Sequence, residues 1–236
     1  MQLNPPLQAA ILRDNKAFRV KDVAVNCVFA AGWWELGLLA VVAGDDALAA
    51  TCRAAANRTA TAVLAKMRGP LPGESNDGFA ALYRDASGDE RASPRATIQE
   101  LFPLLLPPEL VPAATVASLV AMLRNESRYW LPYPVPTVPA DSPAFAPAFS
   151  AADDLMWRGP TWGFTNWFLL EGLEKHGYHA EHAALLDRWV ALVEGGGIWE
   201  MYNPINGKGT GAVGLGMSTL LVDWLYRTGR FPPPRP

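Results

Sequence analysis

Charge and cysteine are both scarce here. Among 236 residues there are two cysteines and three histidines, charged residues make up 18%, and the formal net charge is −3. A slightly acidic chain without a Lys/Arg cluster gives no electrostatic reason to bind nucleic acid. Cys27 and Cys52 each lie in an apolar helical stretch, which predicts two buried free thiols rather than a disulfide framework and fits a reducing compartment. The start, Met-Gln-Leu-Asn-Pro-Pro, lacks a basic region followed by an apolar one, so no secretory signal is expected. Asp, Glu or Arg interrupts each long apolar run before membrane-span length, and no membrane partner is expected. These readings point to a cytoplasmic protein. His176, His179 and His182 are spaced by three, but Gly177 intervenes and no acidic or cysteine partner completes a metal set. Lys208, in Asn206-Gly207-Lys208-Gly209-Thr210, lacks the first glycine of a phosphate loop, and Gly209 stands where Ser or Thr should hold magnesium. No cofactor is expected. The sequons at Asn57-Arg58-Thr59 and Asn125-Glu126-Ser127 carry no weight without a secretory signal. The charge run from Asp85 to Arg91 reads as a solvated loop.

What the chain does have is apolar residues, 50% of the total, spaced for helices. Val25, Phe29, Trp33, Leu36 and Ala40 line one helical face, with Asp22 as cap and Gly44 as stop. Asp45 and Asp46 open a second, alanine-rich helix closing at Arg68-Gly69-Pro70. Thr97-Ile98-Gln99-Glu100 has capping-box spacing and precedes Leu101, Phe102 and Leu105. A fourth helix is predicted through Val116, Leu119, Val120 and Leu123. The fifth runs from Pro160 to Lys175-His176-Gly177. A sixth holds Leu185, Leu186, Trp189 and Val193, and a seventh Leu220, Leu221, Trp224 and Leu225. Seven helices, mostly in antiparallel pairs and with no strand pattern, make the class all-α. Two long connections interrupt them, residues 69 to 96 and about 128 to 156. Tyr129, Trp130 and Tyr133 argue that the second is ordered.

Polar residues mixed with tryptophan concentrate in two loops, Trp157 to Trp167 and Trp199 to Gly211. One helical hairpin separates them, so both return to the same end of the bundle. Indole faces beside a carboxylate suit a sugar: the ring covers the C–H face while carboxylate and guanidinium bind hydroxyls. The plainer alternative makes these tryptophans core and Glu200 a solvated loop residue.

The two loops resemble glycoside hydrolase family 63 and its relatives, including the mannosylglycerate and glucosylglycerate hydrolases. The resemblance rests on Trp157-Arg158-Gly159-Pro160-Thr161-Trp162 with Asn166-Trp167, and on Glu200-Met201-Tyr202-Asn203-Pro204 with Gly207. Val135-Pro136-Thr137 and Val20-Lys21-Asp22 leading into Asn26 are also similar. The resemblance implies an (α/α)6 toroid and inverting hydrolysis, in which one carboxylic acid protonates the glycosidic oxygen and a carboxylate activates water. It implies Glu200 as general base, with Trp157, Arg158, Gly159, Trp162 and Tyr202 binding substrate. Arg158, if close, would help keep the base ionised. The implied partner is a small sugar conjugate or oligosaccharide, an α-linked glucosyl or mannosyl compound such as glucosylglycerate or mannosylglycerate.

Three departures stand against the family pattern. Met156 replaces a tyrosine, and Leu215-Gly216-Met217-Ser218 replaces Phe-Ser-Trp-Thr. The family's acid motif, of the type Ser-Gly-x-Asp-x-Ser-Pro, has no counterpart: Ala92-Ser93-Pro94 and Ser87-Gly88-Asp89 lack its context, and Asp153 and Asp154 stand where the family has no acid. Residues 1–236 therefore read as a single helical domain, the C-terminal portion of the toroid without its N-terminal half. Three readings follow: a truncated or inactive homologue, an enzyme completed by another copy or chain, and a sugar-binding or scaffold module.

Overall fold

Asp22 opens the first helix as its sequence position predicts. Its carboxylate accepts the Val25 N–H at 2.8 Å, and the Asn26 amide donates to the Asp22 carbonyl at 2.7 Å. The computed structural model describes residues 20–70, 77–85, 87–148 and 157–231. The N-terminal Met-Gln-Leu-Asn-Pro-Pro, Asp153, Asp154 and Met156 lie outside the described residues.

Helix α1 spans Val23–Val42 and α2 spans Asp46–Lys66. Gly44 turns the chain with φ of 75°, and Asp45 caps α2 through the Leu48 N–H at 2.9 Å. A 3-10 helix, Ile98–Leu105, is followed by α3 (Ala113–Leu123), α4 (Gly163–Lys175) and α5 (His179–Gly196). A second 3-10 turn, Gly216–Leu220, leads into α6, Leu221–Arg227. All seven expected helical segments are present, and short connections make α1/α2 and α4/α5 antiparallel hairpins. The 3-10 segment lies between α1 and α4, and Leu101, Leu104, Leu119, Leu169 and Trp189 form the core around it.

Several expectations are corrected. The chain does contain strands: β1 (Val20–Lys21), β2 (Arg68–Pro70), β3 (Asp77–Phe79), β4 (Leu82–Arg84), β5 (Glu90–Ala92), β6 (Trp199–Tyr202) and β7 (Gly209–Val213). They pair antiparallel in the order β1-β4-β5, β2-β3 and β6-β7. At two to five residues each they are too short for an alternating pattern to register. Thr97 makes no side-chain cap, and Pro103 inside the segment removes a helical donor, so the third helix is 3-10 rather than α. Glu100 points inward instead of closing a capping box. The fifth helix begins at Gly163, not Pro160, because Thr161 is engaged in β-bridges to Pro136 and Tyr202.

The largest correction concerns α1. The buried face is Val23, Cys27, Ala30, Gly37 and Ala40, set against Ala49, Cys52, Ala56, Ala60 and Val63. The expected face is largely outward: Val25 is 67% exposed, Phe29 53% and Leu36 40%. Small residues allow close helix approach, so the small face took the neighbour although the large residues are the more apolar. By length and composition α1 is also able to cross a membrane, with mean hydropathy 1.6, contrary to the expectation that charge interrupts every such run. Its one charge, Glu35, pairs with Lys175 of α4 at 2.8 Å. Cys27 and Cys52 are free and buried, as predicted. Burial, reinforced by Asp22, pushes the Cys27 thiol far up.

The three histidine rings take separate partners. The Nε2 of His176 lies 3.1 Å from Leu106 O, and His179 meets Glu174 at the surface. His182 is buried edge-on to Trp224, and its Nε2 has no hydrogen-bond partner among the described residues. Burial holds both His176 and His182 below the ordinary histidine value. The unfolded chain therefore takes up these protons more readily. Stability is fully present above about pH 6.5 and is lost as pH falls through that value toward the folded pKa. His182→Phe keeps the ring contact and removes the titration, so the fall in Tm between about pH 7 and 5 becomes shallower. An unchanged slope in a thermal-melt series would remove His182 from this account.

Candidate functional site

The tryptophan loop is fastened by buried hydroxyls and amides. Thr137 accepts the Gly159 N–H on its Oγ1 at 3.0 Å and donates that hydroxyl to Pro160 O at 3.1 Å. Thr161 donates its hydroxyl to Tyr133 O at 2.9 Å. Asn166, fully buried on α4, accepts from Val135 N at 3.0 Å and donates to Pro134 O at 2.9 Å. A β-carbon on Gly159, whose φ is 146°, would lie 2.9 Å from the Ala146 backbone, so the loop closes only on glycine there.

The Glu200 loop joins the same fastening. Thr161 N donates to Tyr202 O at 2.8 Å, and Tyr202 N to Thr161 O at 2.9 Å. Tyr133 N reaches Pro204 O at 2.9 Å. Residues 133–137, 157–161 and 202–204 thus form one hydrogen-bonded unit. Sequence reasoning missed Thr137, Thr161 and Asn166 as its fasteners. Their signal was a hydroxyl or amide side chain inside each family-like phrase.

The predicted site residues separate into distinct environments. Trp157 is 48% exposed and stacks on Trp162 with ring centroids 4.3 Å apart and planes 2° apart. Phe164 meets both rings edge-on. Trp162 is only 2% exposed, so Trp157 presents the outer indole face and Trp162 supports it. Tyr202 is fully buried; its hydroxyl accepts from Trp199 N at 3.0 Å and donates to Gly197 O at 2.8 Å. Its place is inside the hairpin rather than on a sugar-facing wall. Arg158 is exposed and turns its Nε to Ala144 O at 3.3 Å rather than to Glu200.

Glu200 is partly buried on β6, and its Oε2 accepts the Ala212 N–H at 2.9 Å. The neighbouring backbone is held on both sides. Ser218 donates its hydroxyl to Trp199 O, and the Trp199 indole N–H reaches Gly196 O at 2.7 Å. A pocket of about 660 Å³ is lined by Trp157 itself, Val25 and Phe29 of α1, Phe102, and Phe164 and Phe168 of α4, with Asp22, Gln99 and Thr137 among its few polar residues. Glu200 stands on the β6–β7 hairpin and is not part of that lining. The pocket's apolar walls suit a packed side chain better than sugar hydroxyls. The outer face of Trp157, the exposed Arg158 guanidinium and the Glu200 carboxylate are groups whose chemistry suits a sugar.

Comparison with known proteins gives these groups a context. The mannosylglycerate hydrolase MGH1 of Selaginella moellendorffii is 39% identical over 74 residues, 30% of this chain and 15% of that protein. The mannosylglycerate hydrolase of Thermus thermophilus is 39% identical over 66 residues, 28% of this chain and 16% of that protein. A crystal structure of the GH63 mannosylglycerate hydrolase from Thermus thermophilus in complex with glucose superposes with a TM-score of 0.71 at 27% identity. It covers 87% of this chain and 48% of that one. The same enzyme with Tris gives a TM-score of 0.75 over 92% of this chain and 48% of its own. The chain thus spans about half the length of these solved relatives, and its helical hairpins superpose on part of their (α/α) toroid. A family profile described as the mannosylglycerate hydrolase MGH1-like glycoside hydrolase domain matches residues 7–218, and the chain belongs to that glycoside hydrolase family.

Proposed function

We propose that this chain is the general-base portion of a cytoplasmic, inverting glycosidase, with Glu200 activating the attacking water. The substrate is an α-linked glucosyl or mannosyl conjugate, glucosylglycerate or mannosylglycerate being the favoured type. One observation carries the reading. In a chain of this family, Glu200 stands on a braced hairpin whose backbone is bonded directly to the loop bearing Trp157. Complexes of the Thermus thermophilus enzyme with glucose, and with Tris and D-glycerate, support a small sugar conjugate as ligand. Trp157 offers its exposed face to the sugar ring, Trp162 backs it, and Gly159 sets the loop. Arg158 is a hydroxyl-binding side chain at the rim.

The outward arc of α1 favours a further element of this reading. A helix apolar on all sides belongs inside a larger protein or a membrane. We infer that Val25, Phe29, Leu36 and Leu39, exposed here, pack against further helices of the toroid, and that those helices bring the general acid.

Substrate choice tests the proposal. Fluoride leaves a sugar without being protonated, whereas a glycerate oxygen requires an acid. The purified chain is expected to hydrolyse α-glucosyl or α-mannosyl fluoride, and to hydrolyse the glycerate conjugates only when the acid is supplied. A folded chain that binds these sugars but turns over neither fluoride is a binding module, and the enzyme reading falls.

A further inference from the structure

The strands β6 and β7 do not pair one to one. Trp199 is opposite Val213 and Met201 is opposite Thr210, so Glu200 alone faces two residues, Gly211 and Ala212. This is a β-bulge with its glycine in the left-handed region, φ 81°. The extra residue leaves the Ala212 N–H to the Glu200 carboxylate, at 2.9 Å from Oε2. Oε1 has no hydrogen-bond partner among the described residues. Gly211 leaves the space the carboxylate occupies: a β-carbon there would lie 2.5 Å from Oε2 and 2.8 Å from the Glu200 Cβ.

We propose that the Gly211–Ala212 bulge is the positioning device of Glu200, with Gly211 and the Ala212 N–H as its positioning residues. The inference rests on Glu200 being the general base. The Ala212 N–H fixes one carboxylate oxygen through a charge-assisted hydrogen bond. The other oxygen is left directed at water, from which it takes the proton as the water's oxygen bonds to the anomeric carbon and the leaving group departs. Bulges re-aim side chains in this way beside active sites. Any side chain at 211 pushes the carboxylate off its donor, and a shift of about 1 Å in a reacting group costs on the order of 10²-fold in rate.

The test pairs Gly211→Ala with Gly214→Ala. Gly214 has a similar left-handed φ of 73°, but a β-carbon there meets nothing within 4 Å, so it carries the backbone strain without touching Glu200. With α-glucosyl fluoride, Gly211→Ala is expected to lower kcat about 10²-fold with little change in KM, and Gly214→Ala to leave kcat within a few-fold. Amide hydrogen exchange supplies a readout that needs no turnover. Glu200→Ala should speed exchange at the Ala212 amide and leave the Tyr202 amide, which donates to Thr161 O, unchanged. Equal losses in the two glycine variants, or an Ala212 amide indifferent to Glu200→Ala, overturn the inference. If the wild-type chain has no turnover while the Ala212 amide still responds to Glu200→Ala, the general-base reading fails and the bulge contact survives it.

Discussion

Glu200→Gln is expected to lower turnover of α-glycosyl fluorides by on the order of 10²–10⁴, with KM little changed. The substitution keeps shape and hydrogen bonding, because a carboxamide oxygen still accepts the Ala212 N–H that now holds Oε2. The hairpin, tied through Trp199, Tyr202 and Ser218, has no reason to move. What is lost is basicity: an amide cannot take a proton from water during attack. An effect confined to kcat therefore separates a chemical role from a packing role. Wild-type rates in a folded Glu200→Gln protein would assign the base elsewhere.

Arg128→Met is expected to cost about 3–5 kcal/mol of stability, or roughly 6–20 °C in Tm for a chain of this size. Glu100 is fully buried and Arg128 only 4% exposed. The guanidinium donates to Glu100 Oε1 at 2.9 Å and to Asp141 at 3.1 Å, while the Tyr129 hydroxyl donates to Glu100 at 2.5 Å. Burial alone would lower the Arg128 pKa, and the Glu100 carboxylate more than reverses it. Removing the cation leaves a carboxylate inside the protein without its counter-charge, which costs more than the lost attraction. The remedy is specific: adding Glu100→Gln to Arg128→Met removes the buried charge and should restore most of the loss. A double variant no more stable than the single one, by chemical denaturation, shows that lost packing rather than charge sets the cost.

Helix positions, caps and stops at Asp22, Gly44, Asp45 and Gly177 were legible because they depend on neighbours within a turn. The orientation of α1 was not. Its apolar residues surround the helix, so periodicity marks two faces, and only the small residues of α2 decide which one is covered. Glu100 shows the same limit. Capping-box spacing places it correctly along the chain, but its partner is 28 residues away and the buried ion pair outweighs a local cap. At the site, the two family-like phrases revealed which loops matter. They did not reveal that Tyr202 is interior, that Trp162 lies beneath Trp157, or that a bulge holds Glu200. Those facts depend on strand register and on which ring reaches solvent, which a list of residue types does not encode. The exposed arc of α1, the apolar pocket beside it and the half-length match to solved relatives agree with a surface that meets further helices.

The most direct measurement of the central claim is the configuration of the first sugar released from α-glucosyl fluoride, followed by proton NMR before the anomers equilibrate. A water molecule activated by Glu200 on the face opposite the fluoride must yield the β-anomer first, and Glu200→Gln must abolish that signal. Release of the α-anomer, or a β-anomer signal untouched by Glu200→Gln, would contradict the assignment of Glu200 as the base of an inverting hydrolase.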